Sequence, residues 1–270
     1  MLLDIVHRTE YRYPQPVRRV MQALRLWPAA CAHQQLFDWQ VEVGGRRIEP
    51  KSLDGFGNQM AVHAVDGPLS ELTVQVSGRV EVADESGIVR GTREALPASF
   101  YRGGTMLTTA DRAITRLARS VRNDDALVTL HALMTEVRDR IEFSPEYTDS
   151  QTPAAHALQL GAGVCQDHAH VMIAASRAIG FAARYISGYL WLSGERAEPA
   201  SHAWCEVDVA GLGWVGFDPA NRCCPGDGYV RVACGRDARE AAPIRGCREG
   251  GADESMQVTV TVAESSNQQQ

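Results

Sequence analysis

The sequence predicts an α+β protein: an antiparallel β region first, then a region of helices followed by strands. Three observations carry this. Over residues 1–90 apolar and polar residues alternate, and no helix of useful length is evident. After about residue 105 the apolar spacing changes to threes and fours. From about residue 181 the alternation returns. The expected division is a smaller β domain over 1–95 and a larger domain over 96–270, with 86–105 as the linker.

In the first region Leu3, Ile5, His7, Thr9 and Tyr11 share one face. Trp39, Val41 and Val43 form a second stretch, and Leu72, Val74, Val76, Val80 and Val82 a third. Turns are expected at Gly44-Gly45, at Asp54 to Gly57 and at Asp66-Gly-Pro68. In the second region Ile114, Leu117, Ala118 and Val121 mark one helix, and Leu127, Leu130, Met134, Val137 and Ile141 a longer one. Thr152 is expected to cap a third helix with Pro153 at its first position, and Gly161 to end it. Cys165 starts a fourth, with Ala169, Met172, Ile173, Ser176 and Ile179 at helical spacing and Gly180 past its end. Strands are expected near 181–192, 202–209, 213–217, 228–234 and 256–263. Gln268 to Gln270 reads as a frayed end.

The chemistry is concentrated at three places. Cys165 follows a glycine-containing turn and stands at a helix N-terminus. Free N–H groups and partial positive charge gather there, which favours a thiolate and can hold an oxyanion. His202 begins an alternating strand, Gly211-Leu-Gly213 turns the chain, and Asp218 ends the returning strand before Pro219. The hairpin brings His202 and Asp218 to one end of the pair. A thiol, a base and a carboxylate to orient the base are the parts of acyl transfer by a cysteine nucleophile. Gln166 is a candidate for the oxyanion site. Tyr189, with Trp191, is a candidate for the cleft lining, and Trp204 for shielding His202. Cys31, Cys205, Cys223, Cys224, Cys234 and Cys247 read as core. Cys165 and His168 lie one helical turn apart, but no second pair follows at metal-ligand spacing, and Cys223-Cys224 are adjacent. No metal or cofactor is called for. Asp167 and His168 are expected to shape the helix start or its packing.

Composition sets the frame. The chain has 270 residues, 44% apolar and 22% charged, as in globular proteins. A net charge of −6 gives no electrostatic case for nucleic acid or an anionic membrane. No signal peptide is evident, and the seven cysteines are expected to be free thiols in a reducing, cytoplasmic setting. Lys51 is the only lysine, which makes the chain a poor amine donor for cross-linking itself.

Several motifs together resemble a known family. They are Gly163-Val-Cys-Gln-Asp-His-Ala-His170, Arg177-Ala-Ile-Gly180, Ala183-Arg-Tyr-Ile-Ser-Gly-Tyr189, Ser201-His-Ala-Trp204 and Gly216-Phe-Asp-Pro-Ala-Asn221. They resemble the core of the bacterial transglutaminase-like superfamily, which shares the papain-like thiol-protease architecture. The opening, from His7 to Val17 and from Leu24 to Pro28, is similar to the β-rich N-terminal region of one bacterial branch. The tail, with Cys234 to Asp237, Pro243 to Gly246 and Met256 to Val260, fits that branch as well. The resemblance implies a Cys165-His202-Asp218 triad acting on a peptide, protein or other amide substrate through an acyl-thioester. Hydrolysis is favoured; the alternatives are transamidation or a non-catalytic peptide-binding module. Animal transglutaminases support the oxyanion with a tryptophan before the nucleophile. Here only Trp27 and Trp39 precede Cys165, both in the β region.

Overall fold

The computed structural model describes residues 1–192 and 201–265; the expected frayed end at Gln268 to Gln270 lies outside them. The alternation at the start of the chain becomes a strand of unusual length, β1 (Leu2–Leu24), with Leu3, Ile5, His7, Thr9 and Tyr11 all buried. It is followed by β2 (Gln34–Val43), β3 (Arg46–Ile48), β4 (Ser52–Leu53) and a second long strand, β5 (Gln59–Val82). β5 runs antiparallel to β1, from Leu2 opposite Glu81 to Leu24 opposite Ala61. Gly44-Gly45 closes the β2–β3 hairpin, both residues at positive φ. The turn expected at Asp66-Gly-Pro68 is not one. It lies inside β5, opposite shifts in pairing register between Arg12 and Val17 and between Val17 and Arg19. Glycine and proline interrupt the ladder there, but both flanks still pair with the same partner, so the strand bends and continues.

The second region holds β6 (Ile88–Val89), α1 (Arg112–Ser120), α2 (Ala126–Arg140), β7 (Glu142–Phe143), α3 (Ala154–Leu160) and β8 (Ala162–Gly163). Next come α4 (Cys165–Ala178), β9 (Ala183–Leu190), β10 (Ser201–Val209), β11 (Gly213–Phe217) and β12 (Tyr229–Gly235). Asp111 and Asp125 cap α1 and α2 by accepting backbone N–H bonds from Ile114 and from Leu127 and Val128. Thr152 does not cap α3. Its hydroxyl is taken by Asp149, Pro153 occupies the cap position, and Gly161 at φ 68 ends the helix as expected.

α4 is buried on more sides than its apolar stripe predicts. His168, His170, Val171, Ala174 and Ala175 are buried along with Ala169, Met172, Ile173 and Ser176. The helix packs against β9 and β10 on one side and against α1, α2 and α3 on the other. Small alanines allow close approach, and the His168 ring lies 2.9 Å from the Val164 carbonyl and 3.0 Å from the Ile141 carbonyl, its one N–H in the neutral form favoured by burial donating to one of them. These contacts tie the start of α4 to the end of α2.

The sheet order around the site is β12-β9-β10-β11-β6. Backbone pairing crosses the division expected at residue 95 in both directions. β6 joins this second sheet through Trp214 opposite Val89 and Val215 opposite Ile88. The segment expected as a linker also carries a short 3-10 helix, Ala98–Arg102, which packs Tyr101 edge-on against Trp214. At the other end, β13 (Ile244–Glu249) and β14 (Ser255–Glu264) return to the first sheet and pair with β1. One edge of β1 is taken by β5; without β13 and β14 the other would be a long open edge. The two regions share a core of Leu3, Ile5, Val80 and Val82 against Tyr189, Val230, Val232 and Ala233. The outer edge of β12 is closed by side-chain amides. Gln34 and Asn58 each donate to and accept from the backbone there, at Arg231 and Cys234.

Glu206 shows what the covering does to a polar strand face. It is fully buried, and its carboxylate accepts from Arg184 at 2.6 Å and Arg231 at 2.7 Å. The Arg184 guanidinium lies 3.9 Å from the Trp214 ring centre. Burial alone would raise the Glu206 carboxyl; the two arginines instead lower it from 4.5 to about 2. Glu206→Ala leaves two buried cations short of a partner. We expect a loss of about 3–5 kcal/mol, read as a fall in Tm of roughly 10 °C at pH 7. A lowered carboxyl stabilises the fold above its ordinary pKa and ceases to as pH falls toward about 2, so the variant and parent should converge in acid.

Candidate active site

α4 begins at Cys165 because the preceding residues cannot continue a helix. Val164 is extended, and Gly163 is held in β8 beside β7. A Cβ on Gly163 would meet the Asp167 carboxyl at 2.7 Å, so only glycine lets that side chain turn back. Asp167 accepts from the Val164 N–H at 2.8 Å and the Thr148 hydroxyl at 2.7 Å. This fixes the first turn and agrees with the expected role of Asp167. The N–H groups of Cys165 and Gln166 have no acceptor among the described residues. They are free to meet a developing negative charge.

The β10–β11 hairpin delivers the other two groups. Cys205 pairs with Phe217, so His202 and Asp218 overhang the same end of the sheet. His202 Nε2 lies 2.7 Å from Asp218 Oδ2. Asp218 is fully buried, and the His202 side chain is 9% exposed. With Nε2 held by the carboxylate, Nδ1 is the ring nitrogen left to serve Cys165, whose thiol is a second group that favours the charged ring. Burial of the ring opposes its charge, but Asp218 and then Cys165 outweigh that and raise the imidazole from 6.5 to about 10.

Asp218 is itself held by two residues that sequence reading did not place in the site. Tyr229, on β12, donates to Oδ2 at 2.8 Å. The Asn221 side chain donates to the same oxygen at 2.7 Å, and its backbone N–H reaches Oδ1 at 3.3 Å. Burial would raise the Asp218 carboxyl, but His202, Asn221 and Tyr229 together keep it below its ordinary value. Burial and the neighbouring Asp218 push the Tyr229 phenol up, so it stays a donor. Asn221 closes the motif Gly216-Phe-Asp-Pro-Ala-Asn221, three residues past Asp218. Tyr229 carried no local signal.

The remaining candidates divide. Trp204 stacks beside His202 at 6.3 Å between ring centres, with an interplanar angle of 24°, and is buried behind it. Gln166 is next to the thiol, but its side chain turns to the Asp149 carbonyl at 3.4 Å, along the wall of a cavity. Tyr189 is not in the cleft. Its hydroxyl is 2.9 Å from His7 Nδ1, inside the core between the two sheets. Trp27 and Trp39 lie in the first region, where Trp39 donates to the Leu26 carbonyl. All seven cysteines are free thiols; Cys247, expected in the core, is exposed on β13.

A cysteine heading a buried helix, set against an antiparallel sheet that carries a histidine and an aspartate, defines the fold class of transglutaminase-like thiol proteins. Residues 115–219 match the transglutaminase-like superfamily, and residues 3–81 match the bacterial transglutaminase-like N-terminal region. The chain belongs to this family. Among its relatives is an uncharacterized protein of Mycobacterium leprae, 29% identical over 96% of this chain and 98% of that one. An uncharacterized protein of Mycobacterium tuberculosis is 28% identical over 90% of this chain and 86% of that one. The crystal structure of a candidate cysteine protease from Cytophaga hutchinsonii superimposes with a TM-score of 0.78. It covers all of this chain and 92% of that chain at 21% identity, a likeness of fold.

Proposed function

We propose that the protein is a cysteine enzyme that cleaves amide bonds by way of an acyl-thioester. The observation that supports this best is His202, gripped by the buried Asp218 at 2.7 Å, with Cys165 at the head of α4 among the groups that raise its ring. His202 takes the thiol proton, and the sulfur adds to the carbonyl carbon. The oxyanion is met by the N–H groups of Cys165 and Gln166. It collapses with cleavage of the C–N bond, and the imidazolium gives its proton to the departing amine. Water, deprotonated by His202, then adds to the thioester; the C–S bond breaks and the acid leaves. Hydrolysis is preferred to transamidation because neither upstream tryptophan is near the thiol to support an oxyanion in the manner of animal transglutaminases. The free state of all seven cysteines fits a reducing, cytoplasmic setting.

Thiol alkylation tests this reading without a substrate. Cys247 is an exposed cysteine, hydrogen-bonded to no base among the described residues, and serves as the internal control. Iodoacetamide at pH 6.5 should label Cys165 faster than Cys247, followed by peptide mass. His202→Ala should slow Cys165 by at least about tenfold and leave Cys247 unchanged. Labelling of Cys165 no faster than Cys247 in the parent would sink the proposal.

A further inference from the structure

A cavity of about 400 Å³ opens along the side of α4 that carries Gln166, the residue after the thiol. Its floor is Tyr185, on β9, only 5% exposed. No group of the described residues takes the Tyr185 hydroxyl, and that oxygen is not among the enclosed unpartnered atoms, so it opens to the cavity. Burial raises this phenol well above its ordinary value, and negative charge at Cys165 and Asp167 adds to that, so it is a donor at neutral pH.

The opposite wall is the segment that carries the chain from β12 back to β13. It is built in advance of any ligand. The Ala238 N–H donates to His170 Nε2 at 3.0 Å, and the Ser187 hydroxyl donates to the Ala241 carbonyl at 2.7 Å. Farther along, the Pro243 carbonyl accepts from the Arg25 N–H at 2.7 Å. The rim carries Arg239 and Arg245, both exposed and in no ion pair among the described residues. No aspartate or glutamate lines the cavity, in a chain whose net charge is −6. Two unpaired guanidiniums over a pocket without carboxylates mark a site for an anion.

We propose that this cavity holds the acyl part of the substrate, that the acyl part bears a carboxylate taken by Arg239 and Arg245, and that the Tyr185 hydroxyl donates to the acyl carbonyl oxygen. The proposal rests on Cys165 as the nucleophile. It makes the preferred substrate an acidic one, such as an amide of a glutamyl-type acyl group.

Two affinity probes separate the parts: N-acetyl-glutamyl chloromethyl ketone and its glutaminyl counterpart, which differ only in the carboxylate. In each, the Cys165 sulfur adds to the ketone, forms a C–S bond at the adjacent carbon, and chloride leaves. The glutamyl ketone should react about tenfold faster at low salt, with the preference shrinking as salt is added. The double variant R239A/R245A, both positions exposed, should bring the two rates together. Y185F should slow both ketones by about 10–100-fold while keeping their ratio. Iodoacetamide adds to no carbonyl, so its rate on Cys165 should survive Y185F. Equal rates for the two ketones in the parent, or an unchanged preference in R239A/R245A, would overturn the anion site. A Y185F protein that reacts with the ketones at the parental rate would overturn the role of the tyrosine. If Cys165 in the parent reacts slowly with iodoacetamide as well as with both ketones, the nucleophile itself is misassigned and the subsite falls with it.

Discussion

Cys165→Ala should abolish turnover of any amide substrate found for the parent, by at least about 10⁴-fold in kcat, while the protein remains folded. The thiol is at the first position of α4 and only half-buried, so its removal leaves no core cavity. The side-chain hydrogen bonds that fix the helix start come from Asp167, Thr148 and His168 and survive the change. Tm should therefore shift by no more than a few degrees. Cys165→Ser should be nearly as inactive, because His202 is placed to pair with a thiolate and a serine hydroxyl is far harder to ionise. Initial rates and a thermal melt on the same preparations settle the matter. Parental kcat in the alanine protein would mean that another group carries the reaction.

The parts of this site that were legible in the sequence are those set by local geometry. A helix must start somewhere, and the turn before Cys165 and the spacing after it leave little choice. The tight turn at Gly211-Leu-Gly213 makes β10 and β11 neighbours, and counting back along the two strands places His202 beside Asp218. Groups brought in by non-local pairing were not legible. β12 returns across the sheet to the far side of β9, and that crossing brings Tyr229 to the Asp218 carboxylate.

β9 shows a different limit. Both its faces are buried, so alternation says that Tyr185 and Tyr189 share a face but not which of them faces the cleft. The structure puts Tyr185 on the cavity floor and Tyr189 between the sheets. The pattern at Met256 to Val260 announced a strand, but only the long unpaired edge of β1 determines where it pairs. Glu206 was legible as a polar position on β10. Its burial depends on how the first region covers the sheet, which no period in the sequence encodes.

Asp218→Asn should lower kcat by about 10²–10⁴-fold with little change in KM, by analogy with the loss of the aspartate from a Ser-His-Asp triad. Asparagine fills the same space, so the β10–β11 hairpin and the paired backbone of Asp218 and Cys223 are kept. The charge is lost. The acceptor on which His202, Asn221 and Tyr229 converge is replaced in part by an amide N–H that can face the ring with the wrong polarity. A pH profile distinguishes orientation from mere packing. In the parent the imidazole is raised from 6.5 to about 10, so its proton is retained at neutral pH and lost as pH rises through about 10. The stability contributed by the pair follows the same course, complete below about 6.5 and lost through about 10. Without the carboxylate, burial dominates and favours the neutral ring, so the alkaline limb of kcat/KM should move to lower pH. The acid side has the opposite sign. The Asp218 carboxyl is held below its ordinary 3.8, so its contribution is present above that value and lost as pH falls. Full activity in Asp218→Asn, or an alkaline limb that stays in place, would reduce Asp218 to a strand-ending turn residue.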